Sequence, residues 1–251
     1  MLRVKSLGLL LIVLSVARAH HAMEYIAMES YSTARGGQKI FHVHYDYIVD
    51  NSANSAQDHW EYTPGLSYGI TNRLMVDAHT HFAKFGIDHI VQDQRANFAP
   101  QGPSPFMEAM AFAVQYRLTE GGFIDVAIGG VYEEPFQRSR DLLGGQRGFE
   151  GILILSRGLG SRGNICANFK LGRYGDEKLS EWALGVKHPL TEDTHGIQAG
   201  LELLGDTAGK WSLLPGIYFP LGDQNIVFKT GLEFGKDLNS MRANATLMVI
   251  F

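Results

Sequence analysis

The chain closes on "RANATLMVIF", and this stretch alternates without a break. Ala243, Ala245, Leu247, Val249 and Phe251 share one parity, and Arg242, Asn244, Thr246, Met248 and Ile250 share the other. A period of two is the signature of a β-strand, because successive side chains leave opposite faces of the backbone. Soluble domains usually end in frayed polar residues. An apolar stripe that runs to a terminal phenylalanine calls for an apolar environment on that side.

The same period recurs along the chain. It predicts twelve strands, near 39–50, 58–70, 73–85, 106–117, 122–134, 148–158, 163–174, 179–189, 196–206, 210–221, 225–236 and 241–251. Most approach the ~9–11 residues that a tilted strand needs to cross a bilayer. The N-terminus reads differently. "MLRVKSLGLLLIVLSVARA" has Arg3 and Lys5, an apolar run from Leu7 to Val16, and small residues at Ala17 and Ala19. That is the pattern of a cleaved signal peptide over residues 1–19, too short for a membrane helix. Beyond it no apolar run reaches the ~18 residues of a spanning helix. In a bilayer every backbone polar group needs an internal partner, and only helices and closed barrels provide one. An exported chain of alternating strands is therefore a soluble β protein or an outer-membrane barrel.

The connections favour the barrel. "ITNR", "LTEGG" and "LGDQN" are tight, whereas "GIDHIVQDQRANFAPQGPSP" and "EPFQRSRDLLGGQRG" are long and polar. Outer-membrane barrels carry short periplasmic turns and long outer loops. Counted back from the C-terminus, the tight links all fall on the periplasmic side and both long ones outside. The expected fold is thus all-β: a transmembrane antiparallel up-and-down barrel of about twelve strands over residues 38–251, in the outer membrane of a Gram-negative bacterium. "MEYIAMESYST" could add a strand, but that would place the N-terminus outside. Residues 20–37 are instead expected to form a periplasmic lead-in segment, tucked into the lumen.

The apolar parity then faces lipid and the other parity faces the lumen. Lumen-lining residues on this basis are Asp46, Glu61, Asp77, Asp125, Lys187, Glu202, Lys229, Glu233 and Arg242. Luminal glycines would relieve crowding in a narrow bore. Phe251 falls at the interfacial aromatic girdle, where it also matches the C-terminal mark recognised by the outer-membrane assembly machinery.

Several stretches carry a family likeness: "ESYSTARGGQKIFHVHYDY", "YTPGLSYGITNRLMVDAHTHF", "LLPGIYFPLGDQNIVFKTGLEFG" and the terminal Phe251. With these the chain resembles the outer-membrane barrels labelled as meta-pathway phenol-degradation proteins, which are described as transporter-like. The resemblance spans nearly the whole mature chain. It implies an outer-membrane barrel and the passage of small molecules, and it supplies no catalytic residues.

Two histidine pairs stand out. "FHVHYDY" sets His42, His44 and Asp46 on one face, and "VDAHTHF" does the same for Asp77, His79 and His81. Their strands are second neighbours, ~9.6 Å apart at the usual spacing. Imidazoles and carboxylates in such a cluster can ligate a divalent transition metal. They also serve as hydrogen-bonded filling, which polar lumens commonly need. "HHAMEY" at the mature N-terminus offers His20 and His21 as a further copper or nickel ligand set.

Enzyme signatures are missing: the sequence has no G-x-S-x-G and no H-E-x-x-H. The single cysteine, Cys166, rules out an intramolecular disulfide. No basic run points to nucleic acid. The expected activity is passive passage of small solutes, aromatic or hydrophobic ones included, through a narrow bore, with no enzyme activity and no cofactor. The expected partners are outer-membrane lipid, the assembly machinery and a small-molecule solute. A metal-binding or metal-exporting barrel and a lipid-modifying barrel enzyme are the alternatives.

Overall fold

The computed structural model describes residues 25–49, 59–85, 106–137, 139–140, 145–159, 163–190, 196–221, 225–235 and 241–251. The leader at 1–19, His20 and His21 lie outside them. Among the described residues twelve strands form one closed antiparallel barrel. They are β1 Lys39–Val49, β2 His59–Gly69, β3 Leu74–Phe85, β4 Phe106–Arg117, β5 Asp125–Pro135, β6 Gly148–Leu159, β7 Gly163–Tyr174, β8 Glu177–Pro189, β9 Gln198–Asp206, β10 Trp211–Leu221, β11 Ile226–Gly235 and β12 Met241–Ile250. Each strand pairs with its sequence neighbours, and β12 returns to β1 from Ile40↔Ile250 to Val49↔Met241. The terminal residue extends this seam: the Phe251 amide donates to the Lys39 carbonyl (2.9 Å), and the Lys39 amide donates back (2.8 Å).

The strand starts lie within three residues of the sequence-based boundaries, and the shifts of β5 and β8 each have a local reason. β5 begins at Asp125 because residues 119–125 form a turn. Gly121 takes a φ of 74°, Asp125 accepts from the Gly122 amide (3.2 Å), and Thr119 Oγ1 accepts from Val126 (2.8 Å). β8 begins earlier, at Glu177, because Gly175 and Asp176 alone turn the chain. Gly175 supplies the left-handed φ of 55°, and Tyr174 already pairs with Glu177. Two-residue hairpins need such residues.

The alternation resolves into two surfaces. Phe41, Tyr45, Leu66, Phe112, Ile128, Leu153, Phe169, Leu184, Leu201, Ile217, Leu232 and Leu247 are exposed around the outside. A soluble monomer rarely exposes so continuous an apolar surface, and a closed barrel that does so belongs in a bilayer. Aromatic clusters flank this belt. Tyr45 and Tyr47 pack on Trp60, and Tyr132 packs on Phe149, toward the long loops. Phe219 and Phe228, with the exposed Phe251, lie toward the termini. Two aromatic girdles are what an outer-membrane barrel presents to its two interfaces.

Prolines interrupt the ladders where the missing N–H would have donated. Pro64 faces Val43 on β1, and the β2–β3 register has no partner between Tyr62 and Gly65. Pro215 faces Leu201 on β9, and the β10–β11 register skips from Leu213 to Gly216.

Residues 25–38 do not form a strand. They enter the lumen at Tyr25, cross it near Glu29, and return along β4 to the terminus-side rim before β1. There Ala34 packs with Ile40, Met75, Val227, Met248 and Ile250 in an apolar cluster. The Gly37 amide donates to the Gly69 carbonyl (2.8 Å), and the Gly69 amide to Gln38 (2.9 Å). Gly69 is required here, because a Cβ would meet the Arg35 carbonyl oxygen at 1.9 Å.

The face assignment has a direct test. Ile217→Arg places a charge against hydrocarbon, at a cost of ~2–4 kcal/mol near the midplane. Ser212→Arg, on the same strand, points into an open luminal cavity. Unfolding in lipid vesicles should show Ile217→Arg clearly less stable than Ser212→Arg. Equal stabilities would reverse the faces.

Candidate functional site

The lumen has two walls of different chemistry. On one, β1, β2 and β3 bring together the four histidines. His42 and His79 stand in one register row on either side of Gly65, and His44 pairs with Thr63 in the next. Plain strand spacing would leave the two pairs apart. Gly65 removes that separation: a Cβ there would lie 2.4 Å from His42 Cε1 and 2.7 Å from His79 Cβ. The His42 ring leans across the gap to within 6.3 Å of the His79 ring, centroid to centroid. Asp77 sits beneath both. It accepts from His42 Nε2 (2.7 Å), His79 Nδ1 (2.6 Å) and Ser67 Oγ (2.6 Å). His44 Nδ1 meets Thr246 Oγ1 at 3.0 Å, and His81 Nδ1 meets Thr63 Oγ1 at 3.3 Å.

Each imidazole thus has a ring nitrogen fixed by an oxygen. Among the described residues no group of three or more His, Cys, Asp or Glu side chains is arranged to hold a metal ion. Ser67 donates to Asp77 and makes no nucleophile pair with a histidine. The row lines a cavity of about 330 Å³ together with Asp46, Arg242 and the main chain of residues 25–29. Glu61 stands opposite Asp46 in the β1–β2 register.

The other wall carries Lys187, Glu202 and Lys229, each exposed by no more than 1%. Buried charges need partners, and these find them in the lead-in segment. The Glu202 carboxylate accepts three successive main-chain amides: Ile26 on Oε1 (2.6 Å), and Ala27 (2.9 Å) and Met28 (3.0 Å) on Oε2. Tyr218 adds its hydroxyl (3.0 Å). Lys229 Nζ donates to the Tyr25 carbonyl (3.0 Å), and Lys187 Nζ lies 4.3 Å from the Tyr25 ring centroid. Asn168 and the Glu29 main chain bond reciprocally, at 2.7 and 3.1 Å. On the far side Gln115 donates to the Ser30 carbonyl (2.8 Å). Burial, with Cys166 and Glu202 close by, raises the Tyr25 phenol far above its ordinary value. It is therefore a neutral donor to Asn164 Oδ1 (2.8 Å).

Glycines carve the seat. A Cβ at Gly216 would lie 2.1 Å from Ile26 Cδ1, and one at Gly185 would lie 2.6 Å from Tyr25 Cε1 and 2.7 Å from Met28 Sδ. The sequence led to an expectation of luminal glycines that relieve crowding, with no sign of what these two admit. Their spacing in "LGVKH" and "LPGIYF" carries no mark of a bound segment.

A second cavity, of about 780 Å³, lies toward the long loops and shares Ala27, Met28 and Arg242 with the first. Lys170, Glu181, Asp206, Lys210 and Glu233 line it. Glu233 accepts from Ser212 (2.6 Å). Asp125 sits apart from the other luminal residues, in the terminus-side turn. The crest of the lead-in segment is therefore the floor on which both cavities rest.

No protein-family model and no curated protein matches the sequence. Solved structures do match. The KdgM porin, in a complex with disordered oligogalacturonate, aligns over 84% of this chain and 98% of its own, with a TM-score of 0.58 and 8% identity. An outer membrane channel from Pseudomonas putida F1 aligns over 90% and 100%, with a TM-score of 0.58 and 12% identity. The chain has the fold of an outer-membrane β-barrel. At these identities the likeness carries the architecture alone; the luminal chemistry is argued from this barrel's own residues.

Asp77 is the keystone of the histidine row. Asp77→Ala leaves His42, His79 and Ser67 facing a void, and loss of one partner from a buried cluster of this kind costs about 3 kcal/mol. Chemical denaturation in lipid vesicles should show that loss. A stability within ~0.5 kcal/mol of the native barrel would make the row ornamental.

Proposed function

We propose that this barrel is a passive outer-membrane channel for small solutes, with a preference for cations. The observation that carries the reading is the pair of adjoining, charge-lined cavities inside a closed barrel whose outside is apolar. The charge balance supports the preference. Above the lead-in segment the wall offers Asp46, Glu61, Glu133, Glu150, Glu181, Asp206 and Glu233. Against these stand Lys170, Lys210 and Arg242. A low-dielectric wall lined by one sign focuses counter-ions of the other.

The sequence resemblance would extend the solutes to aromatic and hydrophobic ones. The wall gives that extension little support, since its aromatic side chains are committed. Tyr218 bonds Glu202, Tyr174 bonds Glu150, and Tyr25 bonds Asn164. The alternatives make different demands. A metal-exporting barrel requires metal-dependent flux, and a lipid-modifying enzyme requires lipid turnover in vesicles.

Single-channel recording in planar bilayers tests the channel. In a salt gradient the reversal potential should take the sign of cation selectivity. Glu133→Gln with Glu150→Gln should move it toward zero, because both carboxylates line the outer half of the lumen. A folded barrel that passes neither ions nor small solutes would end the reading.

Residues 1–19 are read as the export leader and Phe251 as the mark for the assembly machinery. Deleting Phe251 removes two seam hydrogen bonds and a girdle ring. Outer-membrane yield should fall while export persists. Normal yield with normal heat-modifiable mobility would assign Phe251 to packing alone.

A further inference from the structure

The strongest unexplained feature is a carboxylate surrounded by backbone. Glu202 is fully buried on β9 and makes none of its bonds to a neighbouring main chain of the wall. Three successive amides, Ile26, Ala27 and Met28, converge on its two oxygens, as amides do in anion-binding nests. Charge-assisted bonds of this kind are roughly twice as strong as neutral ones. Among the described residues no other wall residue binds several successive amides of the crest; the other contacts are spread over separate residues. They are Lys229 on the Tyr25 carbonyl, Lys187 on the Tyr25 ring, the Tyr25 hydroxyl on Asn164, Asn168 on Glu29, Gln115 on Ser30, a Lys170–Glu29 pair at 3.8 Å, and apolar packing into the glycine seats.

We propose that Glu202 is the latch of a removable plug. Its carboxylate seats residues 25–33 by binding the amides of residues 26–28, and without it the crest leaves its seat and the lumen opens. The latch is a negative charge, and its position is set by the wall. Gly185 pairs directly opposite Glu202 on β8, and Leu214 does so on β10. Neither neighbour competes for the carboxylate, so the side chain is free to aim inward. Lys229 and Lys187 flank the seat. They engage the Tyr25 carbonyl and the Tyr25 ring. Several strands hold the segment, and among the described residues only Glu202 places charge on consecutive amides of it.

The base of the segment has an independent anchor. Ala34 is packed in the terminus-side cluster, and Gly37 and Gln38 are bonded to Gly69. Release of the latch therefore frees the crest while its attachment to β1 stays in place. The crest swings on the stretch between Tyr31 and Ala34. Because Ala27 and Met28 form the floor of both cavities, their departure joins the lumen end to end.

The test uses the full-length barrel in lipid vesicles, with closed folding verified by heat-modifiable mobility. Two variants are compared with the native chain. Glu202→Ala leaves a space shaped for a small carboxylate, and Glu202→Gln keeps the shape without the charge. Amide hydrogen exchange is read at Glu29, whose N–H bonds Asn168 and never touches Glu202. Exchange at Glu29 should quicken by about tenfold or more in both variants, as loss of a charged hydrogen-bond acceptor implies. Acetate, against chloride at equal ionic strength, should restore slow exchange in Glu202→Ala and leave Glu202→Gln unchanged.

Unaltered exchange at Glu29 in both variants would overturn the latch. So would faster exchange that acetate fails to reverse, since Glu202 would then act through packing. Conductance is measured in parallel and rests on the channel reading. It should rise in Glu202→Ala and fall again with acetate. Exchange that responds while no variant conducts would retain the latch and remove the channel.

Discussion

The seam between β1 and β12 governs this structure. A sheet in hydrocarbon cannot leave an edge, because each unpaired backbone group there costs several kcal/mol. Closing the ring from Ile40↔Ile250 to Val49↔Met241 removes the edge and fixes one register for all the strands. In a ring, a slip of one residue anywhere would turn a whole strand's lipid face into the lumen. The single irregularity of the β3–β4 ladder, between His81 and Phe82, is confined to the end near the long loops. The alternation of "RANATLMVIF" is the local form of that global condition.

Closure creates a second demand, for filling. A barrel of this strand number lies between those filled by side chains and the open porins. Here the filling is divided. The histidine wall fills itself, with Asp77 satisfying two imidazoles and a hydroxyl. The opposite wall places Lys187, Glu202 and Lys229 where water is scarce, and their partners come from a chain segment with no regular structure. Main-chain amides and a carbonyl suit this task, since they offer both signs of dipole within a few residues. The glycines at 185, 216 and 231 give that segment its width, each by withholding a side chain that would collide with it.

The barrel was legible because period and parity are local properties. Strand number, face assignment and the order of short and long links all follow from runs of a dozen residues. Contacts between distant segments were not legible. "EYIAMES" gives no sign that its amides cluster around a carboxylate far along the chain, because main-chain donors are the same in every sequence. Thr246 alternates as a luminal residue, yet only the structure shows it 2% exposed beneath His44. The histidine pairs were read at ordinary strand spacing. The glycine between them, visible in "TPGLSY", was the available signal, since a residue without a side chain lets its flanking rows meet.

The lead-in segment has a consequence for the order of events in biogenesis. The bonds of its crest, Tyr25 to Tyr31, to the barrel wall span separations from 84 residues, Tyr31 to Gln115, up to 204 residues, Tyr25 to Lys229. Contacts that close such long loops form late. The surface the crest occupies is assembled from β4 to β11 and does not exist until those strands are side by side. A segment that precedes all twelve strands in the chain is thus the last to find its place. Until then the young barrel is hollow, and Lys187, Glu202 and Lys229 are solvated. Maturation ends with an expulsion of water, in which a hydrated bore is exchanged for protein.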